Sequence, residues 1–253
     1  MGVKVELITS FNSIYYHRYG HRLVETFLEF VDPSVRLVAY SEEPVSLPDS
    51  PRLESRDLLQ TSFPAFLEAA LPKVETKIGA VSDDPDERVG HGRYLYEYDA
   101  IGFSKKAIAF INGARRSAAD FIFWIDADVV FRRPTPLATF TGLFLSADIV
   151  YFGREEPHSE TGFFGLRKNR ASATFLERYA SYYEGSDPRV FDLDGWTDSH
   201  VFDAAMAEMK KSDPPVIFRN LSTNPTGHVM ASSPLAVYLD HQKGYLRKKA
   251  VGR

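Results

Sequence analysis

The stretch Phe121-Ile122-Phe123-Trp124-Ile125-Asp126-Ala127-Asp128-Val129-Val130-Phe131 constrains this chain more than any other. An aromatic and β-branched run without polar alternation meets two carboxylates spaced i and i+2, and apolar residues resume at once. Such a run is expected as a strand buried on both faces, at the centre of a parallel α/β sheet. Side chains two apart in an extended chain point the same way. Asp126 and Asp128 are therefore expected to aim at one spot beyond the strand end, where open α/β sheets bind ligands. Like charges held side by side need neutralising. A divalent metal bound through oxygen is the simplest solution. A carboxylate pair that caps a neighbouring loop is the plainer one. The triplets Asp84-Pro85-Asp86 and Asp192-Leu193-Asp194 follow no apolar run and read as loop and turn chemistry.

Composition narrows the field. The 253 residues suit one α/β domain, and 44% hydrophobic with 25% charged residues are ordinary globular values. A net charge of −4 makes no electrostatic case for nucleic acid. The chain has no cysteine, which excludes disulfides, thiol catalysis and cysteine-ligated metals and is compatible with a reducing cytoplasm, the expected location. No apolar run approaches membrane-spanning length, and no signal-peptide pattern opens the chain.

Strands and helices alternate along the sequence. Strands are expected at 3–9, 35–40, 147–152 and 216–219, and helices at 23–31, 57–71, 103–116, 171–183 and 198–211. Residues 10–20 read as a polar and aromatic loop. Residues 73–93, rich in charge, Gly and Pro, are the candidate for a mobile loop. The Tyr94, Tyr96, Tyr98 alternation reads as one face of a short strand, or as rings for an acceptor sugar.

Several side chains are candidates for a site. Thr9, Phe11 and Asn12 line the mouth of the first strand, suited to a base and ribose pocket or to an ordinary loop. Ser104 is the expected cap of the helix at 103, with Lys105 and Lys106 in a first turn that a diphosphate could occupy. Solvated lysines are the alternative. Glu160, beside Gly162 and Phe163, belongs to a possible sugar pocket. Trp196 could pack a sugar face, and Asp198 could serve as a base or simply belong to a helix cap. A zinc site at His17 and His21 lacks supporting ligands.

The C-terminal Asp240-His241-Gln242-Lys243-Gly244-Tyr245-Leu246-Arg247-Lys248 adds a second motif. Together with Trp124 to Asp128 it resembles the GT-A glycosyltransferases, which use nucleotide-sugar donors. Within that group it is similar to the retaining family of glycogenin and the bacterial lipooligosaccharide galactosyltransferase, with its late His-x-x-Gly-x-x-Lys. His241 and Gly244 match, and Arg247 followed by Lys248 stands at the basic position. The resemblance implies a Rossmann-like mixed sheet, mainly parallel and flanked by helices, in a single α/β domain. It further implies Mn²⁺ or Mg²⁺ on Asp126, Asp128 and His241, with a uridine-diphosphate sugar as donor. Thr9, Phe11, Asn12, Lys105, Asp126, Gly244, Arg247 and Lys248 would contact that donor, and Asp198 and Glu160 would be the catalytic carboxylates. A glycan or other hydroxyl acceptor, retention of configuration, and a hexosyl transfer in polysaccharide biosynthesis follow from the same likeness. Residues 1–130 would then form the nucleotide half and 131–239 the acceptor half. Residues 240–253 would form a mobile basic tail able to touch an anionic membrane surface.

Three other readings stand beside this one. A haloacid-dehalogenase-like phosphatase shares Asp-x-Asp after an apolar strand, but that strand normally comes first. A nucleotidyltransferase would open with a glycine-rich loop, absent from residues 9–20. A non-catalytic sugar-binding module would not need the metal constellation.

Overall fold

Alternation along one strand organises the molecule. In a computed structural model that describes residues 2–74, 96–155, 158–224 and 229–242, β4 (Phe121–Ile125) is buried from Ile122 onward. Ile122 and Trp124 join an apolar cluster on one face of the sheet, and Phe123 and Ile125 join a second cluster on the other. A strand with helices on both sides needs no polar alternation. Burying a Phe or Ile side chain contributes about 1.5–3 kcal/mol, so β4 anchors both layers.

The strands β1 (Val5–Ser10), β2 (Arg36–Ser41), β3 (Leu53–Asp57), β6 (Ile149–Phe152), β7 (Glu160–Arg167) and β8 (Phe218–Asn220) complete a seven-stranded sheet in the order β3-β2-β1-β4-β7-β6-β8. Pairing is parallel from β3 to β4 and between β6 and β8, whereas β7 runs antiparallel to both β4 and β6. The fold is thus a mixed, mainly parallel α/β sheet flanked by helices, in a single domain. The antiparallel strand has a direct consequence. Ile125 pairs with Phe163, so the start of β7 meets the end of β4 at one edge.

The helices are α1 (Ser13–Tyr15), α2 (His21–Phe30), α3 (Phe63–Val74), α4 (Ala100–Arg116), α5 (Leu137–Thr141), α6 (Arg170–Ala180) and α7 (Asp198–Met209). α4 begins at Ala100, not Phe103. Asp99 caps it by accepting from Gly102 N at 2.8 Å, while Ser104 is buried within the helix and donates to the Ile101 carbonyl at 2.9 Å. Residues 13–20 are helical, as α1 and a π turn, where a loop was expected. Within 57–71 the chain makes a 3₁₀ turn, Leu58–Gln60, before α3. Tyr96–Tyr98 is another 3₁₀ turn, not a strand. Tyr94 and most of 73–93 lie outside the described residues.

Two further strands escaped the sequence reading. β5 (Val129–Phe131) pairs antiparallel with β9 (Leu239–His241) in a small second sheet. Residues 239–241 are therefore fastened in a ladder, although 240 onward was expected to be mobile. Gly244, Arg247 and Lys248 lie outside the described residues. Among the described residues no helix is long and apolar enough to cross a membrane.

Candidate active site

The end of β4 is where the folding constraints converge. After Ile125 the chain turns rather than running on extended, with Val129 N donating to the Asp126 carbonyl at 3.1 Å. Asp126 and Asp128 therefore do not share a face by strand periodicity. They converge because the turn folds both toward a third residue. That residue is His241, placed by the β5–β9 ladder, in which it is the partner of Val129. Gln242 N donates to the Asp128 carbonyl at 3.0 Å, and Arg22 Nη1 donates to Gln242 Oε1 at 2.7 Å. His241 Nε2 lies 3.1 Å from Asp128 Oδ1 and 3.7 Å from Asp126 Oδ2. One ligand atom from each of the three residues falls within a mutual 4.8 Å.

The opposite wall is Gly162. Its carbonyl accepts from Asp126 N at 2.9 Å. A Cβ there would stand 2.6 Å from His241 Cε1 and 3.1 Å from Asp126 Oδ2. Backbone is thus packed against the cluster at the one place where a side chain would fill it. Gly162→Ala should leave the fold intact but displace the imidazole, lowering Mn²⁺ affinity by about 10–100-fold, the usual loss when support behind a ligand is disturbed. Calorimetric titration measures this, and unchanged affinity would contradict the packing account.

Sequence reasoning put the site's lysine one residue early. Lys105 Nζ pairs with Glu42 at 2.9 Å. Lys106 Nζ instead lies 2.9 Å from Asp126 Oδ1 and 2.8 Å from Asp198 Oδ2, and 5.4 Å from the centre of the Trp124 ring. Trp124 Nε1 also donates to Asp126 Oδ1, at 2.7 Å. Because α4 starts at Ala100, Lys106 lies in its second turn, and the expected anion site at a first turn disappears. Burial alone would lower the Lys106 pKa, but Asp126 and Asp198 outweigh it and hold the ammonium above the ordinary lysine value. At Asp126, burial and the neighbouring Asp128 push the pKa up. Lys106 and His241 prevail and hold it below the usual carboxylate value.

The remaining candidates divide. Asp198 is buried in the first turn of α7, below its cap Thr197, with Lys106 as its ion-pair partner. Glu160 is buried too. Its Oε1 accepts from Gly162 N at 3.0 Å and its Oε2 pairs with Arg154, so it braces the Gly162 wall rather than waiting as a free base. Thr9 is fully buried at the end of β1. Phe11 is buried against Tyr16 at 5.1 Å between ring centres, and Asn12 Oδ1 caps α1 by accepting from Tyr15 N at 2.8 Å. Neither Phe11 nor Asn12 is the open pocket wall expected of it. Trp196 is likewise buried, edge-on to Tyr98 and Phe191, and offers no sugar platform. His21 Nδ1 sits 3.1 Å from the Tyr16 carbonyl, and no metal-holding group includes His17 or His21 among the described residues.

The donor set suits a divalent cation. Asp126 and Asp128 bring two carboxylates and His241 one imidazole to the same spot, with Lys106 paired to Asp126 and Asp198. Mixed carboxylate and imidazole ligation fits Mn²⁺, with Mg²⁺ as the harder alternative.

No protein-family model matches the sequence, and no curated protein matches it. Among solved structures, mouse xyloside xylosyltransferase 1 in its apo form resembles this chain at 12% identity and a TM-score of 0.47, over 87% of this chain and 86% of that one. A glycosyltransferase involved in the glycosylation of the major capsid of PBCV-1 gives 9% identity and a TM-score of 0.45, over 98% of this chain and all of that one. Likenesses this distant carry no argument about chemistry, which rests on the residues described above.

Proposed function

We propose that this chain is a metal-dependent GT-A-type glycosyltransferase, moving a sugar from a nucleoside-diphosphate donor, uridine diphosphate by default, to a glycan or other hydroxyl acceptor. The observation that carries the reading is the convergence of two carboxylates and an imidazole, those of Asp126, Asp128 and His241, within a mutual 4.8 Å at the carboxyl edge of β4. A divalent cation held there would supply Lewis-acid stabilisation of the leaving diphosphate. The protein's own groups do the rest. Asp128 and His241 are the direct ligands in this reading, and Asp126 is shared between the cation and Lys106. Lys106 is ion-paired with Asp126 and Asp198, and in this reading its ammonium also meets a phosphate oxygen of the donor. Asp198 acts through Lys106, holding the ammonium in place as the diphosphate departs. Glu160 keeps Gly162 against the cluster. Residues 1–130 supply the donor half in this scheme and 131–239 the acceptor half. Retention of configuration belongs to the proposal, and the anomeric proton signals of the product test it.

The phosphatase reading needs a free nucleophilic carboxylate. Asp126 Oδ1 is engaged by both Trp124 and Lys106, which disfavours it. Product identity separates the two. With Mn²⁺, the chain should release nucleoside diphosphate from a nucleotide sugar, slowly into water and faster with an acceptor. Inorganic phosphate released from simple phosphate esters at a greater rate would overturn the proposal.

A further inference from the structure

We infer that His158, oriented by Asp203 and packed against the tilted ring of His200, receives a hydroxyl of a carbohydrate acceptor. The inference rests on the glycosyl-transfer reading and names the acceptor side of that same site.

The geometry at His158 is that of a fixed tautomer. Its Nδ1 lies 3.1 Å from Asp203 Oδ2. The same carboxylate accepts from Ser159 N at 3.1 Å and from Ser159 Oγ at 2.5 Å, so it cannot swing away. A neutral histidine held this way carries its proton on Nδ1 and presents Nε2 as an acceptor. That nitrogen takes no hydrogen bond from the described residues, and the side chain is 34% exposed. Its ring packs against that of His200, with 3.8 Å between ring centres and the planes tilted by 41°. His200 is itself held, its Nδ1 2.7 Å from Thr197 Oγ1 and its Nε2 against Gly195, where a Cβ would approach to 2.2 Å. Burial and the neighbouring His158 push the His200 pKa below the ordinary histidine value, so His158 packs against a neutral ring at neutral pH. A histidine needed only for packing would not require an anchored carboxylate behind it and an open nitrogen in front.

The position is right for an acceptor. His158 precedes β7 by two residues and Gly162, the wall of the metal cluster, by four. Four residues span at most about 14 Å, which keeps His158 within that reach of the Gly162 wall, and His158 is not one of the three residues of the cluster. Thr161 Oγ1 lies 3.0 Å from Ser199 Oγ, tying this end of β7 to the first turn of α7, beside Asp198. Tyr96 lies toward the Lys106–Asp198 pair. The residue is 56% exposed, its ring edge-on to Phe103 at 4.9 Å, and it is within electrostatic reach of Asp198, Lys106, Asp126 and Arg154. The turn that carries it is fastened to the α7 approach by Trp196 N donating to the Glu97 carbonyl at 2.7 Å.

The chemistry selects a class of acceptor. An exposed ring offers a face for sugar C–H groups, and an imidazole nitrogen with the exposed Glu97 carboxylate offers acceptors for hydroxyls. The exposed Glu97 carboxylate disfavours an anion, and Arg154 is already paired with Glu160. The patch therefore favours a neutral, hydroxyl-rich acceptor over an anionic one.

The test uses the full chain with Mn²⁺ and measures UDP release from UDP-glucose, UDP-galactose and UDP-xylose, without acceptor and with lactose, maltose and methyl β-xyloside. At least one sugar should accelerate release. His158→Ala and Asp203→Asn should raise the KM for that sugar by about tenfold, the scale of one lost hydrogen bond, with donor hydrolysis in water unchanged. His158→Gln keeps an acceptor atom and should recover part of the loss. Tyr96→Ala changes an exposed residue, leaves folding unaffected, and should raise the same KM several-fold. Hydrolysis and transfer falling together in the His158 variants, an unchanged acceptor KM, or a wild type that hydrolyses donor with no acceleration by any of these sugars would each overturn the inference. A wild type that releases UDP from none of the donors would overturn the transferase reading itself, and the acceptor assignment with it.

Discussion

Asp128→Asn should lower donor turnover by about 10²-fold or more, the scale of removing one strong electrostatic stabiliser from a polar site. The amide keeps the shape of the side chain but loses its charge. It also loses the clean acceptor that faces His241 Nε2 at 3.1 Å. Folding should survive, because the Asp128 backbone contact to Gln242 N does not depend on the side chain. His241→Ala should reproduce most of the loss. Initial rates of UDP release with saturating Mn²⁺ measure both, and activity within a few-fold of wild type in either variant would remove that residue from the ligand set.

The second large effect is expected at Lys106. Its ammonium is the ion-pair partner of Asp198, whose side chain is 2% exposed, and it also neutralises Asp126. Breaking a buried pair from one side leaves an uncompensated charge and costs about 3–5 kcal/mol. Lys106→Met should therefore lower the melting temperature markedly in the absence of metal. Mn²⁺ should restore part of that stability by binding the folded state. Adding Asp198→Asn to Lys106→Met should recover stability as well, since the stranded charge is then gone. Thermal unfolding of the single and double variants, with and without Mn²⁺, reads this directly. A Lys106→Met protein as stable as wild type would mean that the triad is solvated and contributes little.

These two residues also mark what the sequence could and could not reveal. The β4 run was legible because burial on both faces removes polar alternation, and few other environments tolerate Phe-Ile-Phe-Trp-Ile. Asp128 and His241 were legible as a pair only through spacing shared with a known family. The strand that joins them was not, because Leu239–His241 is three residues long and pairs with a segment more than a hundred positions away. β3 was missed for a different reason. Leu53–Asp57 is a polar edge strand, balanced by Glu54 contacts to Arg36 and Arg56, and carries no hydrophobic signal. Lys106 had a signal that went unread. Three residues after Phe103 and four before Phe110, it falls within the apolar stripe of α4, where a lysine needs a buried partner. Taking Ser104 as the cap, instead of Asp99, hid that register.

The Asp-x-Asp geometry carries a similar lesson. Extended-strand periodicity paired the two carboxylates that the structure brings together, but through the wrong local structure, since a turn and not a strand presents them. Thr9, Phe11 and Asn12 show the converse. Their residue types suited a nucleotide pocket, yet Phe11 serves the core and Asn12 caps a helix that the sequence reading had taken for a loop.

The most direct test of the account is calorimetric titration of Mn²⁺ into the wild-type chain and into Asp128→Asn and His241→Ala, each with UDP present. The account predicts one ion per wild-type chain and a loss of at least about tenfold in affinity in both variants, with UDP binding weakened in parallel. Equal Mn²⁺ affinity in all three proteins, or UDP binding indifferent to the metal, would contradict it.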